Sequence, residues 1–248
     1  MSKSELEVTK NKILDGSISI LQPKKGFRVS IDSILLSSSI KEYSKCMEFG
    51  TGSGIIIIYL SKKFPNSKII GVEKNIELVK LANKNLLKNN INNINSKILC
   101  NDLFNKPFLQ EYNNKLDRVI MNPPYFISNN VIKSNNKFKA SARYESNINE
   151  WFEAAYKKLK PKGYMNFVFR TESLDLILSN LNGSWGEIKI FPLWPKVNVK
   201  SKLMILQAKK NAKSGVQILP GLILHNNDGS YTDACNSILN NKSDIQLD

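Results

Sequence analysis

Four short segments carry the side chains of this 248-residue chain that could do chemistry. The first is Glu48-Phe49-Gly50-Thr51-Gly52-Ser53-Gly54. Glycines at alternate positions let backbone approach a ligand closely where a strand turns into a helix. The G-x-G-x-G spacing differs from the dinucleotide fingerprint, and no lysine follows as in a P-loop, so a ligand held without phosphate contacts suits it better. The second is Glu73, 19 residues after Gly54, where a carboxylate can accept both hydroxyls of a ribose. The third is Asp102, placed to accept a hydrogen bond from an adenine amino group. The fourth is Asn122-Pro123-Pro124-Tyr125. Its two prolines fix the backbone and leave the Asn122 side-chain oxygen and the Pro123 carbonyl as rigid acceptors for a planar amino group, while Tyr125 offers a flat face for stacking. Each segment alone also reads as a bare turn, an acidic helix cap or a Pro-Pro loop breaker. Together, at the ends of successive strands, they describe a crevice for adenosine beside a seat for an amino group.

The elements that must position these residues alternate regularly. Strands are expected over Lys45–Phe49, Lys68–Val72, Ser96–Cys100, Leu116–Met121, Gly163–Arg170, Glu187–Leu193 and Lys202–Lys209. Helices are expected over Gly54–Phe64, Asn75–Lys88, Asn149–Leu159 and Thr171–Leu181, the second from apolar residues at helical spacing. This alternation argues for a seven-stranded, mainly parallel α/β sheet with helices on both faces, and the two final strands without a helix between them imply one antiparallel strand at the edge. Residues 18–21 and 27–31 read as a hairpin around Pro23-Lys24-Lys25-Gly26, and Asp32 as the cap of a helix over Ser33–Ile40. Residues 1–44 are expected to form a hairpin-and-helix lid, 45–210 the catalytic domain, and 211–248 an extension packing on it, with an apolar run at Val216–Leu224 and a final helix.

Composition narrows the function classes. No apolar run approaches the ~20 residues of a membrane span, and the N-terminal Met-Ser-Lys-Ser-Glu-Leu-Glu has no apolar region, so neither a membrane-spanning nor a secreted protein is expected. Cys46, Cys100 and Cys235 form no motif, and Cys46 and Cys100 read as small packed hydrophobes. Sparse cysteine fits a reducing cytoplasm. His225, the one histidine, excludes two-histidine chemistry and reads as structural or solvated; no metal is expected. The net charge is +15, from 36 Lys and Arg against 21 Asp and Glu. With only four Arg and 31 Asn, codon bias could produce much of that total, so placement matters more. Between Asp117 and Glu145 stand Arg118, Lys133, Lys137, Lys139 and Arg143 with no acid, and between Glu187 and Asp228 stand seven lysines with no acid. Such segregation points to a surface for a polyanion.

These residues resemble the class I S-adenosylmethionine-dependent methyltransferases, in the branch that methylates amino groups, over about residues 27–210. The resemblance implies a Rossmann-like fold. It implies that Gly50, Gly52 and Gly54 hold the methionine end of S-adenosylmethionine, Glu73 the ribose, Asp102 the adenine, and Asn122, Pro123, Pro124 and Tyr125 the methyl acceptor. Glu48 departs from the family, where an Asp is more usual, but its longer arm can reach the methionine amino group through water. Three branches share the acceptor motif. Only 47 residues precede Glu48, which is short for the helical domain of the release-factor glutamine methyltransferases. Many DNA adenine methyltransferases carry Asp-Pro-Pro-Tyr and a recognition domain, for which the chain has little room. The third branch resembles the sequence more closely than these two: it is the family that methylates N6 of adenine 37 in a valine tRNA. It rests on Gln22, on Phe27–Leu36, on Ala142-Arg143-Tyr144-Glu145 (a His is usual at Tyr144) and on Asp228-Gly229-Ser230-Tyr231-Thr232. It implies that Asp32 and Arg28 lie over the cofactor and acceptor, that Arg28, Lys133, Lys137, Lys139 and Arg143 meet tRNA, and that the enzyme is cytoplasmic; a monomer is favoured. The rival from another class is an RNA-binding protein that kept the fold without turnover.

Overall fold

The computed structural model describes residues 7–25, 28–91, 94–123 and 137–247, with 137–147 as backbone only. Pro124, Tyr125 and Lys133 lie outside the described residues, as do the side chains of Lys137, Lys139, Arg143 and Tyr144. The chain opens with strands β1 (Val8–Ile13) and β2 (Ile18–Pro23) and helix α1 (Ile31–Ser38). Then follow β3 (Lys45–Phe49), α2 (Ile55–Lys63), β4 (Lys68–Glu73), α3 (Ile76–Lys88), β5 (Ser96–Cys100) and β6 (Leu116–Met121). Beyond them lie α4 (Lys137–Lys158), β7 (Leu159–Arg170), α5 (Leu174–Leu181), β8 (Trp185–Trp194) and β9 (Leu203–Lys210), and the chain ends with β10 (Val216–Ile218), β11 (Leu222–Ile223) and α6 (Asp233–Leu239).

Seven long strands lie in the order β8-β9-β7-β6-β3-β4-β5. All are parallel except β9, which is antiparallel to both β7 and β8. The antiparallel strand is thus inserted one place in from the edge, where sequence reasoning placed it at the edge. Two consecutive strands need a reversal, and that reversal is equally met by returning between β7 and β8. The C-terminal segment extends the sheet to nine strands, because β10 and β11 both pair in parallel with β8. Alternation along the strands divides the core into two faces. Cys46, Ile69, Ile120, Val168 and Ile205 join α1, α2 and α6 on one side. Met47, Val72, Val119, Met121, Phe167 and Met204 join α4 and α5 on the other.

The N-terminal hairpin differs from expectation. Its strands are β1 and β2, turning through Leu14, Asp15 and Gly16 at φ of 52°, 52° and 81°, and residues 28–30 form no strand. The first strand, Val-Thr-Lys-Asn-Lys-Ile, is mostly exposed, so it carries no alternating pattern that sequence could show. The outer edge of β2 is paired by side chains. Asn85 of α3 accepts from Leu21 N (2.8 Å) and donates to Leu21 O (2.7 Å), and Asn89 does the same for Ser19 N and O at 3.0 and 2.7 Å. Two asparagines one helical turn apart therefore stand in for a neighbouring strand. Ser30, not Asp32, occupies the N-cap position of α1; Asp32 lies in the first turn and accepts from Ser30 Oγ at 3.1 Å. Of the cysteines, Cys46 and Cys235 are buried while Cys100 is exposed, a second departure from expectation. Among the described residues no helix is long and apolar enough to cross a membrane.

Candidate active site

The strand order itself brings the chemistry-bearing residues together. The carboxyl ends of β6, β3, β4 and β5 are neighbours in that sequence, so Asn122, the glycine turn, Glu73 and Asp102 stand in a row. Adjacent strands lie ~4.8 Å apart, so the row spans ~14 Å, the scale of an extended nucleoside with a short chain attached. A cavity of about 480 Å³ runs along it and is walled by Arg28, Glu48, Gly50, Gly52, Glu73, Asp102, Asn122 and Pro123 among others, a size typical of small-molecule sites. Gly54 stands behind the turn as the N-cap of α2. Asp32 does not reach the cavity wall, whereas its neighbour Ser33 does. Arg28 is exposed at the rim and donates to Pro23 O at 3.1 Å.

Glu73 organises the glycine turn. Its Oε2 accepts from Gly52 N at 3.0 Å and its Oε1 from Asn75 N at 2.9 Å, while Gly50 N and Thr51 N both donate to Val72 O. Gly50 takes a φ of 72°, and a Cβ there would lie 3.1 Å from Trp151. The backbone conformation disfavours a side chain, and the ring would have to give by a few tenths of an ångström to admit one. Each oxygen of the Glu73 carboxylate retains a second lone pair for a hydroxyl donor. One more bond steadies the turn: Asn85 Nδ2 donates to Ser53 O at 2.8 Å. Thus the residue that pairs with the hairpin also holds the glycine turn.

At the foot of the turn Glu48 is almost fully buried, and its Oε2 has no hydrogen-bond partner among the described residues. Burial, followed by the nearby charge of Glu73, holds its carboxyl well above the ordinary range. A buried carboxyl oxygen without a partner on a cavity wall is a seat for a donor, and an ammonium group fits that need. Asp102 is tied locally, Oδ1 accepting from Phe104 N at 3.0 Å, beside the apolar Leu103, Phe104 and Leu78 that could flank a flat ring. At the other end of the row Asn122 Nδ2 donates to Ser33 Oγ at 2.8 Å. This bond sets the orientation of the amide and so distinguishes its acceptor end.

Sequence reasoning missed Trp151, Ser33 and Asn85. Trp151 fell inside the expected helix Asn149–Leu159 and Ser33 at the start of the expected helix Ser33–Ile40, and neither residue belonged to one of the four motifs. Asn85 fell on the expected helix Asn75–Lys88, outside its apolar positions. Sequence reasoning also overcounted the polyanion surface. Arg118 is buried at the opposite end of β6, where its guanidinium donates to Asn166 Oδ1 and faces the Tyr164 ring. Lys210 is buried and donates to Asn114 Oδ1, Tyr156 O and Leu159 O.

The cavity thus runs from Asp102 and Glu73 across the glycine turn to Asn122. This arrangement, on this sheet, is that of the class I S-adenosylmethionine-dependent methyltransferases, and S-adenosylmethionine is the methyl donor. Within that class the chain belongs to the methyltransferase small domain family, whose model matches residues 28–185. It is similar to the tRNA1(Val) (adenine(37)-N6)-methyltransferase of Haemophilus influenzae strain PittGG, at 27% identity over 87% of this chain and 90% of the relative. The protein of the same name from Vibrio campbellii is 24% identical over 85% and 86%. Among solved structures, a predicted O-methyltransferase from Agrobacterium tumefaciens shares the fold with a TM-score of 0.71, at 17% identity over 87% of this chain and 98% of that one.

Proposed function

We propose that the protein methylates N6 of an adenine in tRNA, at position 37 beside the anticodon of a valine tRNA, and that it acts in the cytoplasm. The observation that carries an amino-group acceptor is the Asn122–Pro123 pair at the end of β6, one strand from the glycine turn, with the Asn122 amide oriented by Ser33. The names of the relatives support the choice of tRNA.

Bound S-adenosylmethionine supplies an electrophilic sulfonium methyl. The residues hold it and aim the acceptor. Glu73 takes the ribose hydroxyls, Asp102 the adenine amino group, and Glu48 with the turn of Gly50, Gly52 and Gly54 the methionine end. The lone pair of an exocyclic amine is delocalised into its ring and is a poor nucleophile. Hydrogen bonds from that amine to the Asn122 side-chain oxygen and the Pro123 carbonyl favour a pyramidal nitrogen and point its lone pair at the methyl group. Tyr125 stacks on the turned-out base. These are positioning and electrostatic effects. After transfer the nitrogen is cationic and acidic, and it releases its proton to water without a catalytic histidine. An anticodon-loop adenine is single-stranded, so turning it out costs less than opening a duplex. Arg28 at the rim and the segment bearing Lys133, Lys137, Lys139 and Arg143 are assigned to RNA phosphates.

The test is to incubate unmodified transcripts with the protein and methyl-labelled cofactor. Label should enter the valine transcript as N6-methyladenosine and vanish when that adenine is replaced by guanine. Label entering only a release factor or only duplex DNA overturns the choice of substrate. Cofactor and RNA binding without transfer to any acceptor overturns the enzymatic reading.

A further inference from the structure

The row of site residues ends at Asn122, but the sheet does not. Strand β7 pairs with β6 up to Phe167–Met121 and then runs three residues further, to Arg170. There Arg170 pairs with Leu203, Leu203 with Leu193, and Trp194 with Ile223. The ends of β7, β9, β8 and β11 thus form a ledge on the same edge of the sheet as Asn122, starting one strand away and reaching roughly 14 Å at ~4.8 Å per strand. Two loops crown it. Residues 195–202 join β8 to β9, and residues 224–231 follow β11.

These loops carry three of the seven lysines in the acid-free stretch from 188 to 227, together with Asp228, which faces Lys196. Of the seven lysines, Lys209 is paired with Glu187 and Lys210 is buried, both toward the opposite edge of the sheet. Lys196, Lys200 and Lys202 lie on the ledge, the last two exposed. Lys196 Nζ donates to Asn227 O at 2.9 Å and ties the two loops together. The second loop is closed by its own contacts. His225 and Tyr231 pair as a bridge and their rings stack at 4.8 Å with an interplanar angle of 22°. His225 N donates to Pro195 O at 3.1 Å, and Asn226 N to Ser230 O at 2.9 Å. Tyr231 is nonetheless 39% exposed, and Val197 of the first loop is 59% exposed. A flat ring braced by a stacked partner, on a loop tied to a lysine-bearing loop, costs little to order against another flat ring, whereas a surface serving solubility alone needs neither the aromatic stack nor the exposed valine.

We infer that this ledge is a second RNA-binding surface: Lys196, Lys200 and Lys202 contact phosphates of the RNA whose target base enters at Asn122, and Tyr231 stacks on an unpaired base several nucleotides away. It rests on the reading of the protein as an RNA methyltransferase and adds a contact outside the acceptor pocket. Charge contacts and stacking leave different signatures. The triple variant Lys196→Glu, Lys200→Glu, Lys202→Glu should lose tenfold or more in tRNA affinity and flatten the log–log salt slope by roughly 2 to 3, about 0.7–0.9 per phosphate contact. Tyr231→Ala should lose about tenfold with the slope unchanged, and Tyr231→Phe should keep wild-type affinity. All three variants should retain wild-type S-adenosylmethionine affinity by calorimetry, which separates loss of an RNA contact from damage to the cofactor site. Wild-type RNA affinity and slope in the triple variant, beside a wild-type protein that methylates tRNA, overturn the ledge alone. A wild-type protein that neither binds nor methylates tRNA overturns the reading beneath it.

Discussion

Replacing Glu73 with Gln tests the cofactor end of the site with the smallest change in shape. The carboxylate accepts two backbone N–H groups, from Gly52 at 3.0 Å and Asn75 at 2.9 Å. An amide has one oxygen, so one of those donors would meet an NH2 group instead. A hydrogen bond to a charged group contributes ~1.5–3 kcal/mol. Loss of the charged acceptor for the ribose costs a similar amount in binding, a fall in affinity of roughly ten- to a hundredfold. The assay is calorimetry with S-adenosylmethionine, then with adenosine and 2′,3′-dideoxyadenosine. The loss should appear for the cofactor and for adenosine and should nearly vanish for the dideoxy compound, which has no hydroxyls to hold. An equal loss for both nucleosides would mean that Glu73 only shapes the turn, and would refute the ribose assignment. Unchanged affinity for the cofactor would refute both.

Asn122→Ala should spare cofactor affinity and remove most turnover, while Ser33→Ala, losing one hydrogen bond of ~0.5–1.5 kcal/mol, should lower kcat about two- to tenfold; if Ser33 acts through Asn122, the double variant is no slower than Asn122→Ala alone. Glu48 links binding to protons. Its carboxyl is held above the ordinary range, and an ammonium group placed against it favours the ionised form, so cofactor binding should release a proton at pH values below the raised value, seen as a buffer-dependent calorimetric heat that Glu48→Gln abolishes. Because the folded value is raised, the contribution of Glu48 to stability is present below the ordinary carboxylate range and lost as pH rises through the folded value. Glu48→Gln should therefore raise the urea midpoint at pH 8, and a lowered midpoint there would contradict the burial argument. Asn85→Leu strands Leu21 N, Leu21 O and Ser53 O at ~1–3 kcal/mol each, so the melting temperature should fall by at least about 6 °C, and a fall under 2 °C would show that the hairpin is held by other contacts.

The central sheet was legible because parallel strands buried on both faces read as short apolar runs, and because each functional side chain sits immediately after one. Ser96–Cys100 and Leu116–Met121 match their expected bounds. What resisted reading was polar structure serving polar partners. Asn85 fell between the apolar positions of an expected helix and Asn89 just past its end, yet both are buried against backbone. Arg118 and Lys210 counted toward a polyanion surface, yet both are buried against polar partners, as is Lys158, which donates to Phe108 O and Asn113 Oδ1. The seven-strand expectation fell short of nine because Val216–Ile218 and Leu222–Ile223 are too short to signal a strand apart from their partner β8.

The hairpin gives the site its coupling. Gln22 Oε1 accepts from Val29 N at 2.9 Å, and Arg28 is bonded to Pro23 O, so β2 fixes the approach to α1. Ser33 of that helix then holds Asn122. From the other side of β2, Asn85 holds Ser53 of the glycine turn. One short strand is therefore connected to the acceptor end of the cavity through α1 and to the cofactor end through α3. Neither connection is visible in the four motifs themselves, which lie on the sheet and know nothing of each other beyond strand order. Methyl transfer needs the donor carbon and acceptor nitrogen aligned to a fraction of an ångström. A sheet fixes strand ends to that precision but leaves the loops after them free to settle, and the bonds from Asn85 and Ser33 restrain those loops against a common reference. Weakening the hairpin should accordingly slow transfer before it abolishes binding of either partner.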